Sequence, residues 1–176
     1  MRNQRGSVSI LSLFIIIVLL VLLAYVTDIA RLHAIKIHCR HSLNLALRAA
    51  SAQIDMEAYN DAENPRLVIV ENDAEVAFYQ VLRGNLSLNA NNEPYAGSAA
   101  DGRVEVCYFR IIQAVDLPYS YSFGNHSETI NRVSCTGIIK VPVRLSPFAR
   151  FSTGMPEYTY QYVHSTVGPD VQISKK

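Results

Sequence analysis

Several groups of side chains in this 176-residue chain are of types that can do chemistry. His33, His38, Cys39 and His41 put four potential metal donors within nine residues. On a helix, at about 100° per residue, His33 and His38 point roughly 140° apart, and only His38 and His41 share a face. No second Cys/His pair follows at zinc-site spacing, so the expectation is a solvated basic helix face without a metal. Asp55, Glu57, Asp61 and Glu63 are acids at short spacing, but the EF-hand order and its glycine are missing, which leaves a hydrated helix end. Tyr158, Tyr160 and Tyr162 alternate and put three phenols on one strand face, either a binding surface or a packed one. The chain contains no G-x-S-x-G, P-loop, G-x-G-x-x-G or H-E-x-x-H motif. Its Ser, His and Asp residues are scattered. Neither catalysis nor a cofactor is expected.

Three cysteines remain. Cys39 falls among apolar residues at helical spacing and reads as a small buried hydrophobe. Cys107 runs in period 2 with Phe109 and Ile111, and Cys135 with Val133, Ile139 and Val141, so both point to the apolar face of neighbouring expected strands. Outside the cytoplasm, a Cys107–Cys135 disulfide closing about 28 residues is one expectation, contributing roughly 3–4 kcal/mol. Two buried thiols are the other, with strand register deciding.

The elements that must position these residues begin with an apolar run. Val8 to Val26 is uncharged, and 15 of its 19 residues are Leu, Ile, Val or Phe. As a helix it spans about 28 Å, against a hydrocarbon core of about 30 Å. Fifteen large apolar side chains favour insertion by roughly 5–9 kcal/mol. A cleaved secretory signal is the rival reading, but the run exceeds the usual ~7–15 residues, and Ala24-Tyr25-Val26 is a poor cleavage site. No second run long enough to span follows Asp28, so one crossing is expected.

Residues 1–54 carry a balance of +5 and residues 55–176 a balance of −4, within a net charge of +1. That distribution fits an anchor and its cargo and gives no argument for nucleic acid. Positive charges flank the run on both sides (Arg2 and Arg5; Arg31, Lys36 and Arg40), and the very short basic tail decides for tail inside and domain outside.

Ser7 to Asn64 contains neither Gly nor Pro, so nothing stops the helix at the bilayer surface. Ile29, Leu32, Ile35, Cys39, Leu43, Ala46, Ala50 and Ile54 then draw one apolar stripe at spacings of three and four. One helix from about Val8 to Asp55 is expected, roughly 70 Å long. Arg40 and Arg48 should lie off the stripe. Asp28 and Arg31, three apart, could pair at the lipid boundary. The chain thus divides into a basic tail (1–7), a transmembrane helix (8–27), its extramembrane continuation (28–57) and an α+β domain (58–176). In that domain, Leu67–Val70 is a short strand candidate. A helix starts at Asn72 with Glu75 in capping-box spacing and ends at Gly84. A polar loop covers residues 85–102. Strands are expected at Val104–Val115, Val133–Leu145 and Tyr158–Val167, joined by turn-rich connections into an antiparallel meander. Pro142 requires a bulge or an edge in the second of them.

The N-terminal third carries a family likeness. Arg5-Gly6-Ser7-Val8-Ser9, the apolar run, Asp28-Ile29-Ala30-Arg31-Leu32 and the Ala-rich Leu43–Ala50 segment resemble the TadE/TadG-like pilus-assembly proteins. The resemblance covers about residues 5–55. It implies a pilin-like, single-pass protein of the bacterial cytoplasmic membrane, in a tight-adherence (Flp) pilus or related secretion system. It also implies a candidate processing site between Gly6 and Ser7. Processed members carry a glutamate five residues after the cleavage glycine, a position held here by Leu11, so an uncleaved, anchored member is expected.

The function expected from the whole is a non-enzymatic structural or assembly component, minor-pseudopilin-like. Its partners would be the lipid bilayer and other pilin-like membrane proteins, met through Asp28, Leu32, Cys39, Leu43, Ala46 and Ala50. No nucleic acid and no small-molecule substrate are expected. A signal-anchored sensor or ligand-binding domain is the alternative, and a membrane-anchored exoenzyme is the next.

Overall fold

The computed structural model describes residues 4–124, 126–147, 150, 154 and 156–170, with side chains from residue 9 onward. Helix α1 runs unbroken from Gln4 to Ser51, 48 residues or about 72 Å. Residues 4–7, expected as tail, are already helical; Met1–Asn3 lie outside the described residues. After α1 come the single turn α2 (Met56–Tyr59) and α3 (Glu71–Leu86). Strands β1 (Glu105–Ile112), β2 (Tyr119–Phe123), β3 (His126–Ile130), β4 (Ser134–Arg144) and β5 (Tyr158–Val167) follow.

The fold is α+β with antiparallel sheets. Strands β1, β4 and β5, the three read from the sequence, form one sheet in the order β1-β4-β5, as a meander does. The segment read as a turn-rich connection contains the hairpin β2–β3, a second, two-stranded sheet. Leu67–Val70 contributes only an isolated bridge, Ile69 to Ile54. Helix α3 starts at Glu71 with Val70 as an N-cap that makes no side-chain bond, so the Asn72–Glu75 box does not form. It also runs past Gly84, because Leu82 and Leu86 are both buried, and closes at Ser87 in the left-handed region (φ 51°).

Three layers result. One core fills the space between the outer half of α1, α3 and one face of the sheet; Cys135, Ile139, Val141 and Val143 of β4 point into it. The hairpin covers the other face, where Ile112, Tyr121, Ile130 and Ile138 form a smaller core. Strand β4 is therefore buried on both sides. Its Gly137 allows α1 to approach: a Cβ there would stand 3.3 Å from Leu47 and 3.4 Å from Leu43. Pro142 sits in this central strand but beyond the last β1 pairing at Glu105–Lys140, so the missing N–H faces a local edge. Asp101 covers that edge, its N–H donating to the Pro142 carbonyl at 3.0 Å.

Candidate functional site: a bare apolar helix with a polar collar

The inner half of α1 is apolar on every side, and its side chains touch little of the protein. Ile10, Phe14, Leu19, Leu23 and Val26 are 72%, 63%, 58%, 64% and 60% exposed. The helix is long and apolar enough to cross a membrane. Left in water, this surface would forfeit roughly 25 cal/mol per Å².

Where the bare segment ends, a polar collar joins the helix to the domain. Ser146 Oγ donates to Asp28 Oδ2 at 2.5 Å. Arg31 forks onto Asp101 at 2.9 and 3.2 Å and donates to the Arg144 carbonyl at 3.2 Å. Asp101 also accepts the Arg144 N–H at 2.8 Å, and the Arg144 guanidinium pairs with Glu157 at 2.8 Å. Asp28 and Arg31 thus reach across to partners 70 or more positions away in sequence instead of pairing with each other.

Above the collar the stripe is buried from Ile35 to Ala50: Leu32 is half-buried, Ile35 8% exposed, and Cys39, Leu43, Ala46 and Ala50 fully buried, whereas Ile29, its first expected member, is exposed and Ile54, its last, half-buried. Leu47, outside the sequence stripe, is buried with them because Gly137 leaves room. Arg40 and Arg48 face outward, Arg48 lying 3.4 Å from Asp170. At the other end of the chain, Gly6 and Ser7 lie in the first turns of α1, and their side chains are outside the described set.

The cysteines are not joined. Cys135 stands opposite Ile111, while Cys107 is the unpaired residue of a bulge between Val106 and Tyr108, near the other end of β1. The bulge breaks the alternation that aligned Cys107 with Phe109 and Ile111. Those two now pack against the helix-side core and Cys107 against the hairpin side, so the thiols lie on opposite faces. Burial pushes Cys39 to about 11 and Cys135 to about 12, keeping both as thiols.

His33, His38 and His41 are exposed along α1, and among the described residues no three His, Cys, Asp or Glu side chains converge on a metal-sized site. The acids beyond α1 work locally. Asp55 caps α2 through the N–H groups of Glu57 (2.9 Å) and Ala58 (3.1 Å). Asp61 accepts from Glu63 and Asn64, bonds that hold its carboxyl below the usual range. Tyr158 and Tyr160 border an open cavity of about 690 Å³ with Tyr79, Arg103 and Glu105, and Lys140 lies 4.7 Å over the Tyr160 ring.

One pair had no signal in the sequence. His126 of β3 and His164 of β5 lie ring on ring, 3.6 Å between centroids, with Glu128 Oε2 3.7 Å from His126 Nε2. Only the placement of the hairpin on the sheet brings them together. No protein-family model matches the chain, and the comparisons with curated proteins and with solved structures found no match.

Proposed function

We propose that this chain is a single-pass membrane protein whose domain stands outside the cytoplasm. In this reading it serves, without catalysis, as a structural or assembly component of a bacterial Flp (tight-adherence) pilus or related secretion apparatus. One observation carries the proposal: a single hinge-free helix has its inner half bare and apolar and its outer half built into the domain core. An anchor made only to tether would tolerate a flexible linker. Here core packing and the collar fix the domain to the helix, so that movement or alignment of the helix in the bilayer orients the domain as well. The resemblance of residues 5–55 to TadE/TadG-like proteins supplies the pilus system.

Two measurements test it. Protease added to intact spheroplasts should digest the domain; survival until lysis reverses the orientation. Deleting the chain from its native cells should abolish surface pili while pilin levels hold. Unchanged piliation overturns the assembly role.

A further inference from the structure

Strand β5 ends the three-stranded sheet, with β4 on one side of it and no strand on the other. Such edges are templates for pairing, and proteins commonly blunt them with charges, Pro or a bulge. The opposite edge is protected in this way: β1 carries the bulge before Tyr108 and the charged residues Glu105 and Arg110. The ten residues of β5 include no Asp, Glu, Lys, Arg, Gly or Pro, and seven of them are Tyr, Thr or Val, which favour strands.

Pairing decides which backbone groups this edge offers. Pro142 of β4 stands opposite Tyr160 and turns its carbonyl away from β5, to the Asp101 N–H. Tyr160 is therefore in a non-hydrogen-bonded pair, and alternation turns the N–H and C=O of Tyr160, Tyr162 and His164 to the open edge. Among the described residues no backbone bond from elsewhere in the chain reaches them.

The two sides of the edge differ in chemistry. On the hairpin side, Phe123, His126, Ile138, Tyr162 and His164 line an open, largely apolar cavity of about 550 Å³. On the other side, Lys36, Arg40 and Asn44 follow at spacings of four along α1, and Asn44 accepts a hydrogen bond from the Ser165 hydroxyl of β5. Lys36 and Arg40 are exposed, and the charge of each acts on the His164 imidazole. Neither has an ion-pair partner among the described residues. Glu128, the carboxylate near the cavity, already accepts from Tyr121 and Thr166, and residues 29–54 and 158–167 contain no acid.

A second copy fits this edge badly. Strand β5 runs outward alongside α1, from Tyr158, opposite Arg144 at the collar, to Ser165, bonded to Asn44. Two β5 edges joined antiparallel would point their bare segments in opposite directions, so two copies anchored in one bilayer do not join that way.

We propose that β5 is completed by an extended segment of a different protein, added as a fourth strand, with Asp or Glu on the face towards α1 and an aromatic or large aliphatic side chain in the cavity on the other. The case against a second copy rests on the anchoring proposed above. The open edge, the cavity and the cations do not, so the two fail separately.

The probes are three labelled ten-residue peptides, added to the full chain in neutral detergent micelles. One alternates Glu with Val around a central Phe, one has Lys in place of Glu, and one is the Glu peptide N-methylated at alternate residues, which removes the donors of its pairing edge. Fluorescence anisotropy should show the Glu peptide binding at least tenfold more tightly than either of the others. Amide exchange at Tyr160, Tyr162 and His164 should slow when it binds. Lys36→Glu with Arg40→Glu should invert the preference between Glu and Lys; both positions are exposed, and the N-methyl comparison on the unaltered chain decides the question should that variant not fold. Equal binding of the methylated and unmethylated peptides overturns strand addition, and equal binding of the Glu and Lys peptides overturns the acidic partner. A dimer of the chain that the Glu peptide dissociates also overturns the proposal, in favour of a second copy paired in parallel.

Discussion

Leu43→Ala tests whether the outer half of α1 belongs to the domain core. The Leu43 side chain is fully buried and lies over Gly137 of the central strand, where it and Leu47 occupy the room a Cβ would take. Removing three carbons costs roughly 2.4 kcal/mol at about 0.8 per methylene, and buried Leu→Ala changes overall cost about 2–5 kcal/mol once the cavity is included. Gly137 has no side chain to move into the gap, so the cavity persists and a loss of about 3–4 kcal/mol is expected. Gly137→Ala alone must press Leu43 and Leu47 back by a few tenths of an ångström, costing about 1 kcal/mol. In the double variant the new methyl enters the space that Leu43 vacates. The combined loss should therefore fall about 1–2 kcal/mol short of the sum. Urea denaturation of the full chain in detergent micelles measures this. Near-ultraviolet circular dichroism suits it, because the chain has ten Tyr and no Trp. A Leu43→Ala loss below about 1 kcal/mol, or strict additivity in the double variant, refutes the packing argument.

Three further outcomes are expected. In the collar, Arg31→Ala should cost no more than about 1 kcal/mol, because its ion pair is half-exposed. Asp101→Ala should cost about 1–2, since it also strips the acceptor from the Arg144 N–H; thermal melts that rank them the other way contradict the collar geometry. Burial, then His126, Arg40 and Lys36, hold the His164 imidazole below its ordinary value against the opposing pull of Glu128. The unfolded chain then takes up the proton first, so stability is intact above about pH 7 and falls as pH drops through about 6.5 towards the lower folded value. Between pH 7.5 and 5.0, His164→Gln should flatten the fall in Tm, and an unchanged slope would remove His164 as its source. Alkylation of the native chain, read by intact mass, should modify Cys107 alone, with Cys39 and Cys135 reacting only in denaturant; rapid triple labelling would contradict the burial.

What could be read from the sequence was whatever depends on local periodicity. The absence of Gly and Pro from Ser7 to Asn64 and the stripe from Leu32 to Ala50 gave the long helix and its buried face, and alternation gave β1, β4 and β5 to within a few residues. The hairpin, read from the sequence as a turn-rich connection, did carry a signal: Tyr119-Ser120-Tyr121-Ser122-Phe123 alternates strictly and meets a turn at Gly124, where φ is 57°. The bulge at Cys107 carried none. One inserted residue reverses the facing of everything before it, and no composition signal marks the insertion. The collar lies beyond local reading for a different reason. Asp28 is bonded to Ser146 and Arg31 to Asp101, pairs that exist only because β4 runs back along α1 from Gly137, beside Leu43, to Arg144, beside Arg31.

That antiparallel run of β4 beside α1 also bears on how the proposed role would work. Strand and helix share an axis over about 20 Å, with Gly137 and Arg144 marking the two ends of the contact. A lateral force on the bare segment therefore acts on a helix held at both ends of its outer half, by the leucine packing above and by the collar below. To bend α1 between them would require opening the core at Leu43, a loss of several kcal/mol, whereas rotating the whole domain with the helix opens nothing. The collar itself is held by exposed or half-exposed polar pairs, each contributing about 1 kcal/mol, so it yields first. The structure accordingly favours a domain that follows its helix. The weakest joint lies at the collar, at Asp28 and Arg31, where the bare segment meets the domain.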